Sequence, residues 1–206
     1  ASVTSLDVSN FKLKSAKKLN NMFSHCHQLN EIDVSGFNTQ NVESMSSLFE
    51  GCYQLSRIDV SNFETANTKA MNNMFEQCSS LTSIDVSNFN TSNVLSMAYM
   101  FSGCVLLEKI DIAGFNVKEV RDLTKMFYNC NSLTSIDLFN FFSVNAIDMS
   151  YMFSGCQLLE KLNVSSIFTD NVKNMSHMFE NCSNIKSLKF ISGTGKTIAE
   201  GKSIAG

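Results

Sequence analysis

The sequence has no proline and no tryptophan among its 206 residues, and only 17% of them are charged. Lacking proline, it has no rigid linker and no residue that removes a backbone donor. Lacking tryptophan, it suits a narrow interior. Histidine is nearly absent too: His25, His27 and His177 are the three present, and no Ser/His/Asp arrangement emerges from them. The net charge is −3 and the pI about 5.6, which supplies neither the basic footprint of a nucleic-acid binder nor a polybasic membrane anchor. No apolar run reaches the length of a bilayer span. There is no signal peptide, and residue 1 falls inside a repeat, so the chain reads as part of a longer protein.

What the sequence does have is a period. Cys26, Cys52, Cys78, Cys104, Cys130, Cys156 and Cys182 are each 26 residues apart, and Phe23, Phe49, Phe75, Phe101, Phe127, Phe153 and Phe179 repeat the spacing three residues earlier. A fixed period of this size marks a solenoid, in which each lap touches only its neighbours. One cysteine per lap at an odd total argues against a full disulfide framework, and the two close pairs of a zinc site are missing. The thiols read as reduced, buried small hydrophobes stacked along the axis.

Laid over one another, the repeats starting at Val3, Leu29, Leu55, Leu81, Leu107, Leu133, Leu159 and Ile185 serve as their own alignment. Leu6, Ile32, Ile58, Ile84, Ile110, Ile136, Leu162 and Leu188 are followed two residues on by Val8, Val34, Val60, Val86, Ile112, Leu138, Val164 and Phe190. This apolar–polar–apolar alternation predicts a short, half-buried strand. Asn10, Gly36, Asn62, Asn88, Gly114 and Asn140 come next, residues that tolerate positive φ, so a left-handed turn is expected there; Ser166 and Ser192 depart from it. An apolar plug from Phe11 to Phe141, then Ile167, follows. Val94, Met97, Met100 and Phe101 fall at helical spacing, with Thr91, Ser92 or Asn93 available as N-cap and Gly51, Gly103, Asn129, Gly155 and Asn181 as left-handed C-caps; His25 and Gln77 depart from that last row. Each lap thus reads as strand, turn, short helix (about two turns, partly 3₁₀) and turn. The expected architecture is α/β: about eight laps in residues 1–190, strands stacked in parallel at about 4.8 Å, and short helices opposite.

The string LxxIDVSxFxTxNVxxMxxMFxGCxxL, which runs through residues 3 to 190, resembles the BspA-like leucine-rich-repeat surface proteins of anaerobic bacteria, spirochaetes, mycoplasmas and some parasitic protists. The resemblance implies a curved right-handed leucine-rich-repeat solenoid with a parallel β-sheet on the concave face and short helices on the convex face. It further implies a cell-surface or secreted, non-enzymatic protein used in adhesion and protein binding, with a protein or cell-surface ligand and no cofactor. A structural or self-assembling scaffold is the alternative, and concentration-dependent sedimentation separates the two. Residues 191–206 leave the repeat as a C-terminal cap or tail. Their Gly193, Gly195, Lys196 and Thr197 brush against a phosphate-binding loop, but its first glycine would fall at Phe190.

Three features are candidate sites. Asp7, Asp33, Asp59, Asp85, Asp111 and Asp137 form an outward row that becomes Asn163 and Lys189. Like charges about 5 Å apart repel by about 1 kcal/mol or more, so either hydrogen bonds to the following turn and the Ser9–Ser87 serine row offset them, or a cationic partner or divalent cation does. Two residues earlier, Glu31, Arg57, Ser83, Lys109, Ser135, Lys161 and Ser187 vary from lap to lap. Arg57 and the lysines are placed to reach the aspartates, and a variable row on a fixed scaffold is where a repeat protein carries specificity. In the sixth lap Phe139 and Phe142 replace small or polar residues; they are either interface anchors or packing against a neighbouring turn. The His25–Cys26–His27 trio occurs once, and the cysteine of it is expected to point inward, against a metal site. The methionine and phenylalanine stripe reads as core. Sequons at Asn90, Asn163, Asn174 and Asn181 arise readily in a chain rich in Asn and Ser.

Overall fold

A computed structural model of the chain describes residues 3–186, 188–191 and 197–201. Residues 26 apart pair with one another, so each repeat closes one lap on top of the last. Ser5–Leu6 (β1) pairs in parallel with Glu31–Ile32 (β2). Ser83–Ile84 (β3), Lys109–Ile110 (β4), Ser135–Asp137 (β5) and Lys161–Asn163 (β6) form a four-stranded parallel sheet. The register partners are residues such as Ile84 with Ile110 and Ile136 with Leu162. Two details depart from one unbroken sheet. No strand forms at residues 57–58, although the amide of Ser56 still donates to the Asn30 carbonyl at 3.3 Å. Leu188–Ile191 (β7), in place of an eighth parallel strand, pairs antiparallel with Thr197–Gly201 (β8). The turn expected at Ser192 and the Gly193–Lys196 run lie outside the described residues.

The opposite face corrects the helical reading. No helix forms among the described residues. Residues 18, 44, 70, 96, 122, 148 and 174 form a continuous parallel ladder of single bridges instead. Alternate amides point along the solenoid axis: Met97, Tyr99, Phe101 and Gly103 donate to the carbonyls of Asp122, Thr124, Met126 and Tyr128 at 2.7–3.0 Å. The intervening amides close tight turns, Met100 onto Met97, Ser102 onto Tyr99 and Cys104 onto Phe101. Two positions per lap carry positive φ. One is Asn21, Ser47, Asn73, Tyr99, Lys125, Tyr151 and His177 (53–59°); the other is His25, Gly51, Gln77, Gly103, Asn129, Gly155 and Asn181 (55–80°). A positive φ at the third residue of a hydrogen-bonded four-residue turn is the type II signature. Occurring twice per lap, four residues apart, it forbids a right-handed helix there. Tandem turns also return every third or fourth side chain to the interior, so their apolar spacing imitates a helix. The expected left-handed C-cap positions are left-handed, His25 and Gln77 included, although no helix precedes them.

The positions after the strands are corrected as well, since none of Asn10, Asn62, Asn88 and Asn140 has positive φ. The side-chain amides of Asn62, Asn88 and Asn140 act as clips between laps. Asn62 Nδ2 donates to the carbonyls of Val34, Ser35 and Phe37 at 3.0–3.2 Å, and Asn88 makes the corresponding bonds one lap on. At Gly36 a Cβ would lie 3.2 Å from the Ser9 carbonyl oxygen, so that lap packs close instead of clipping. The supposed N-cap residues tie laps together too. Thr91 Oγ1 donates to the Asn116 carbonyl at 3.0 Å and accepts its amide at 2.8 Å, and Asn93 Nδ2 reaches the Ala66 carbonyl at 2.8 Å.

Inside, the side chains stack in register. The rings from Phe23 to Phe179 lie at centroid separations of 5.5–5.7 Å and within 11° of parallel. A second column, Phe11, Phe37, Phe63 and Phe89, stacks at 6.3–6.5 Å. The seven thiols are unpaired, and all but half-buried Cys26 are enclosed. Cys52, Cys78, Cys104, Cys130, Cys156 and Cys182 each donate the S–H to a phenylalanine carbonyl of the preceding lap at 2.9–3.2 Å. That bond suits a small weak donor in an apolar interior. Among the described residues no buried side-chain nitrogen or oxygen lacks a partner, as a continuous core requires.

Candidate binding faces

The strand-lined face carries the variable row. Its aspartates are exposed and spend their oxygens locally: Asp7, Asp33, Asp59, Asp85, Asp111 and Asp137 accept the amide two residues on at 2.9–3.0 Å. Ser87 Oγ adds a 2.6 Å bond to Asp85, and Asn163 makes the same turn to the amide of Ser165. The following serine's hydroxyl, and then its amide, hold Asp7, Asp33, Asp59 and Asp85 below the usual carboxylate range. The row is a ladder of Asx turns, one of the two roles open to it in the sequence. No group of three metal-ligating side chains occurs among the described residues, and His25, Cys26 and His27 do not converge on one point. Millimolar calcium is therefore expected to leave the melting temperature unchanged. Because these carboxylates titrate lower folded than unfolded, stability should hold above the unfolded value of 3.8 and fall as pH drops below it. A calcium-dependent rise in melting temperature would contradict the local assignment.

Arg57 does not reach the aspartates. Its guanidinium donates to Glu31 of its own row at 2.7 Å, and both side chains are well exposed. Lys109 and Lys161 form no ion pair among the described residues. Two hollows indent this face. One, of about 700 Å³, is lined by Asp7, Glu31, Asp33, Arg57 and Asp59; the other, of about 610 Å³, by Lys109, Asp111, Ser135, Asp137 and Lys161. The structure thus brings the charged sequence candidates into two groups, with Asp85 outside both, and neither Phe139 nor Phe142 lines either hollow. Phe139 is 61% exposed. Phe142 is less so, its ring 6.1 Å from that of Phe168 in the next lap, so packing against a neighbouring turn accounts for Phe142 but not for Phe139.

The turn-lined face holds a cluster that sequence reasoning missed. Lys125 Nζ lies 5.2, 5.1 and 5.3 Å from the ring centroids of Tyr99, Tyr128 and Tyr151. Tyr151 also stacks on His177 at 4.6 Å. Tyr99, Lys125, Tyr151 and His177 all sit at a positive-φ position that earlier laps fill with Asn21, Ser47 and Asn73. Left-handed backbone costs a residue with a Cβ about 1–2 kcal/mol, and cation–π contact returns about 0.5–1 kcal/mol at an exposed site. The spacing of three aromatics and a lysine was visible, but only the turn geometry stacks them.

The family described as "Mycoplasma protein of unknown function, DUF285" matches over residues 1–105, 55–147 and 107–189. The chain belongs to this family. Among solved structures, the DUF285 chain is similar to a leucine-rich-repeat protein of T. pallidum, at 21% identity and a TM-score of 0.54, over 81% of this chain and 69% of that one. It also resembles a leucine-rich-repeat protein of Bacteroides ovatus, at 18% identity and a TM-score of 0.42, over 93% of this chain and 59% of that one. No curated protein matches it. The fold of this DUF285 chain is thus of leucine-rich-repeat type, as the repeat string implied.

Proposed function

We propose that the chain is a non-enzymatic recognition and adhesion module of a cell-surface or secreted repeat protein, engaging a protein or cell-surface ligand through its strand-lined face. One observation carries the reading. On a backbone held in strict 26-residue register, the row Glu31, Arg57, Ser83, Lys109, Ser135 and Lys161 changes from lap to lap and, Ser83 aside, lines the hollows. The neighbouring aspartates are committed to their turns, so the variable row and Phe139 are the side chains left for a partner.

Beads coated with the protein should attach to cultured epithelial cells. Attachment should be lost when the row is rewritten as Arg57→Glu, Ser83→Arg, Lys109→Glu and Ser135→Arg, and weakened by Phe139→Ser with Phe142→Ser. It should survive Arg121→Ala with Lys173→Ala on the opposite face. Attachment indifferent to the row, or none by the unaltered protein, overturns the reading.

A further inference from the structure

The two hollows differ in a way that assigns a ligand chemistry. In the first, the single cation among the lining residues, Arg57, is already held by Glu31 at 2.7 Å, and three aspartates complete an acidic lining. In the second, Lys109 and Lys161 stand in register on either side of Ser135, and neither ammonium has a carboxylate within ion-pair distance among the described residues. At one strand spacing per lap, the two lysines are rooted about 10 Å apart, a gap that their flexible stems close around one small anion, with the Ser135 hydroxyl between them. The carboxylates beside them are turned to other donors: Asp111 to the Ala113 amide, Asp137 to the Phe139 amide and, at 3.4 Å, to Asn163 Nδ2. Phe139, the most exposed large apolar side chain among the described residues, comes two residues after Asp137 of this lining.

Resting on the strand-face reading, we infer that Lys109, Ser135 and Lys161 grip a single carboxylate on a segment of a partner protein, with an apolar neighbour of that carboxylate laid on Phe139. The two aspartates select against a polyanion. A sulfated glycan would press several charges onto Asp111 and Asp137, whereas one carboxylate adds a single negative charge to a lining whose two lysines and two aspartates balance. The acidic first hollow turns a second carboxylate away, which sets where along the face the segment sits.

The test is fluorescence anisotropy with a labelled peptide carrying one glutamate between leucine and phenylalanine in a glycine-serine context. Its comparisons are the glutamine counterpart and a heparin octasaccharide. The glutamate peptide should bind saturably, and about tenfold or more weaker after Glu→Gln in the peptide or Lys109→Ala with Lys161→Ala in the protein. Arg121→Ala with Lys173→Ala, on the opposite face, should leave it unchanged. Equal binding of the two peptides, indifference to the lysine pair, no saturable binding, or preference for heparin overturns the inference. Bead attachment that survives the lysine pair but is lost on rewriting the whole row would overturn this inference alone; attachment indifferent to both would overturn the strand-face reading itself.

Discussion

Phe101→Ala is expected to lower the unfolding free energy by about 3–5 kcal/mol. The ring is fully buried and lies between Phe75 and Phe127 at 5.6 Å on each side. Truncation removes both stacking contacts and opens a cavity that the neighbouring laps cannot close. Their separation is set by the backbone ladder, including the Phe101 amide on the Met126 carbonyl at 3.0 Å. The site lies mid-array, so the loss divides the column into two shorter halves, each with fewer neighbours to support it. Guanidinium unfolding followed by circular dichroism measures the effect, with exposed Leu106→Ala as the reference. If Phe101→Ala shifts the midpoint no further than Leu106→Ala, the ring column does not hold the fold.

The second large effect is alkaline. Burial pushes the Cys104 thiol up to about 12 from an ordinary 9.0, and it raises Cys78, Cys130 and Cys156 strongly as well. The thiolate is the disfavoured form in the folded chain, so the unfolded chain loses its protons first. Stability is therefore complete below about pH 9 and falls as pH rises toward the folded values. Each of these four thiols contributes a slope of about 1.4 kcal/mol per pH unit in that window, enough together to unfold a domain of ordinary stability within two units. Thermal melts from pH 7 to 11 should show the collapse, and Cys104→Ala should remove one thiol's share of the slope. At neutral pH an alkylating reagent should modify half-buried Cys26 ahead of the rest. A slope unchanged by Cys104→Ala, or rapid labelling of all seven thiols, would mean that the sulfur column is open to water.

How far the sequence could be read depended on which forces leave a periodic trace. Burial does, so the columns of Cys104 and Phe101 were legible from spacing alone, as was the outward aspartate row. Turn conformation does not. Val94, Met97, Met100 and Phe101 have the spacing of a helix because overlapping turns turn the chain inward about as often as a helix does. The residues that decide between the two sit at positive φ, where Asn73 is an ordinary choice and Tyr99 is not. Asn62 was misassigned for a related reason: asparagine serves both left-handed turns and side-chain clips, and only the Val34, Ser35 and Phe37 carbonyls within reach reveal which. Of the candidate site, the variable row was visible, but the pairing of Arg57 with Glu31 and the freedom of Lys109 and Lys161 depend on side-chain reach across laps.

The sulfur bonds join each lap from Cys52 to Cys182 to the one before it, and the carbonyl clips and hydroxyl bridges, in the laps that have them, span the same single-lap distance to backbone groups. Each lap therefore offers its successor the surface that its predecessor offered it. Recombination between repeats in the gene can add, drop or exchange whole laps without creating a mismatched junction. What such shuffling rearranges is the order of Glu31-, Arg57- and Lys109-type laps, so new surfaces arise from old parts while the interior stays the same.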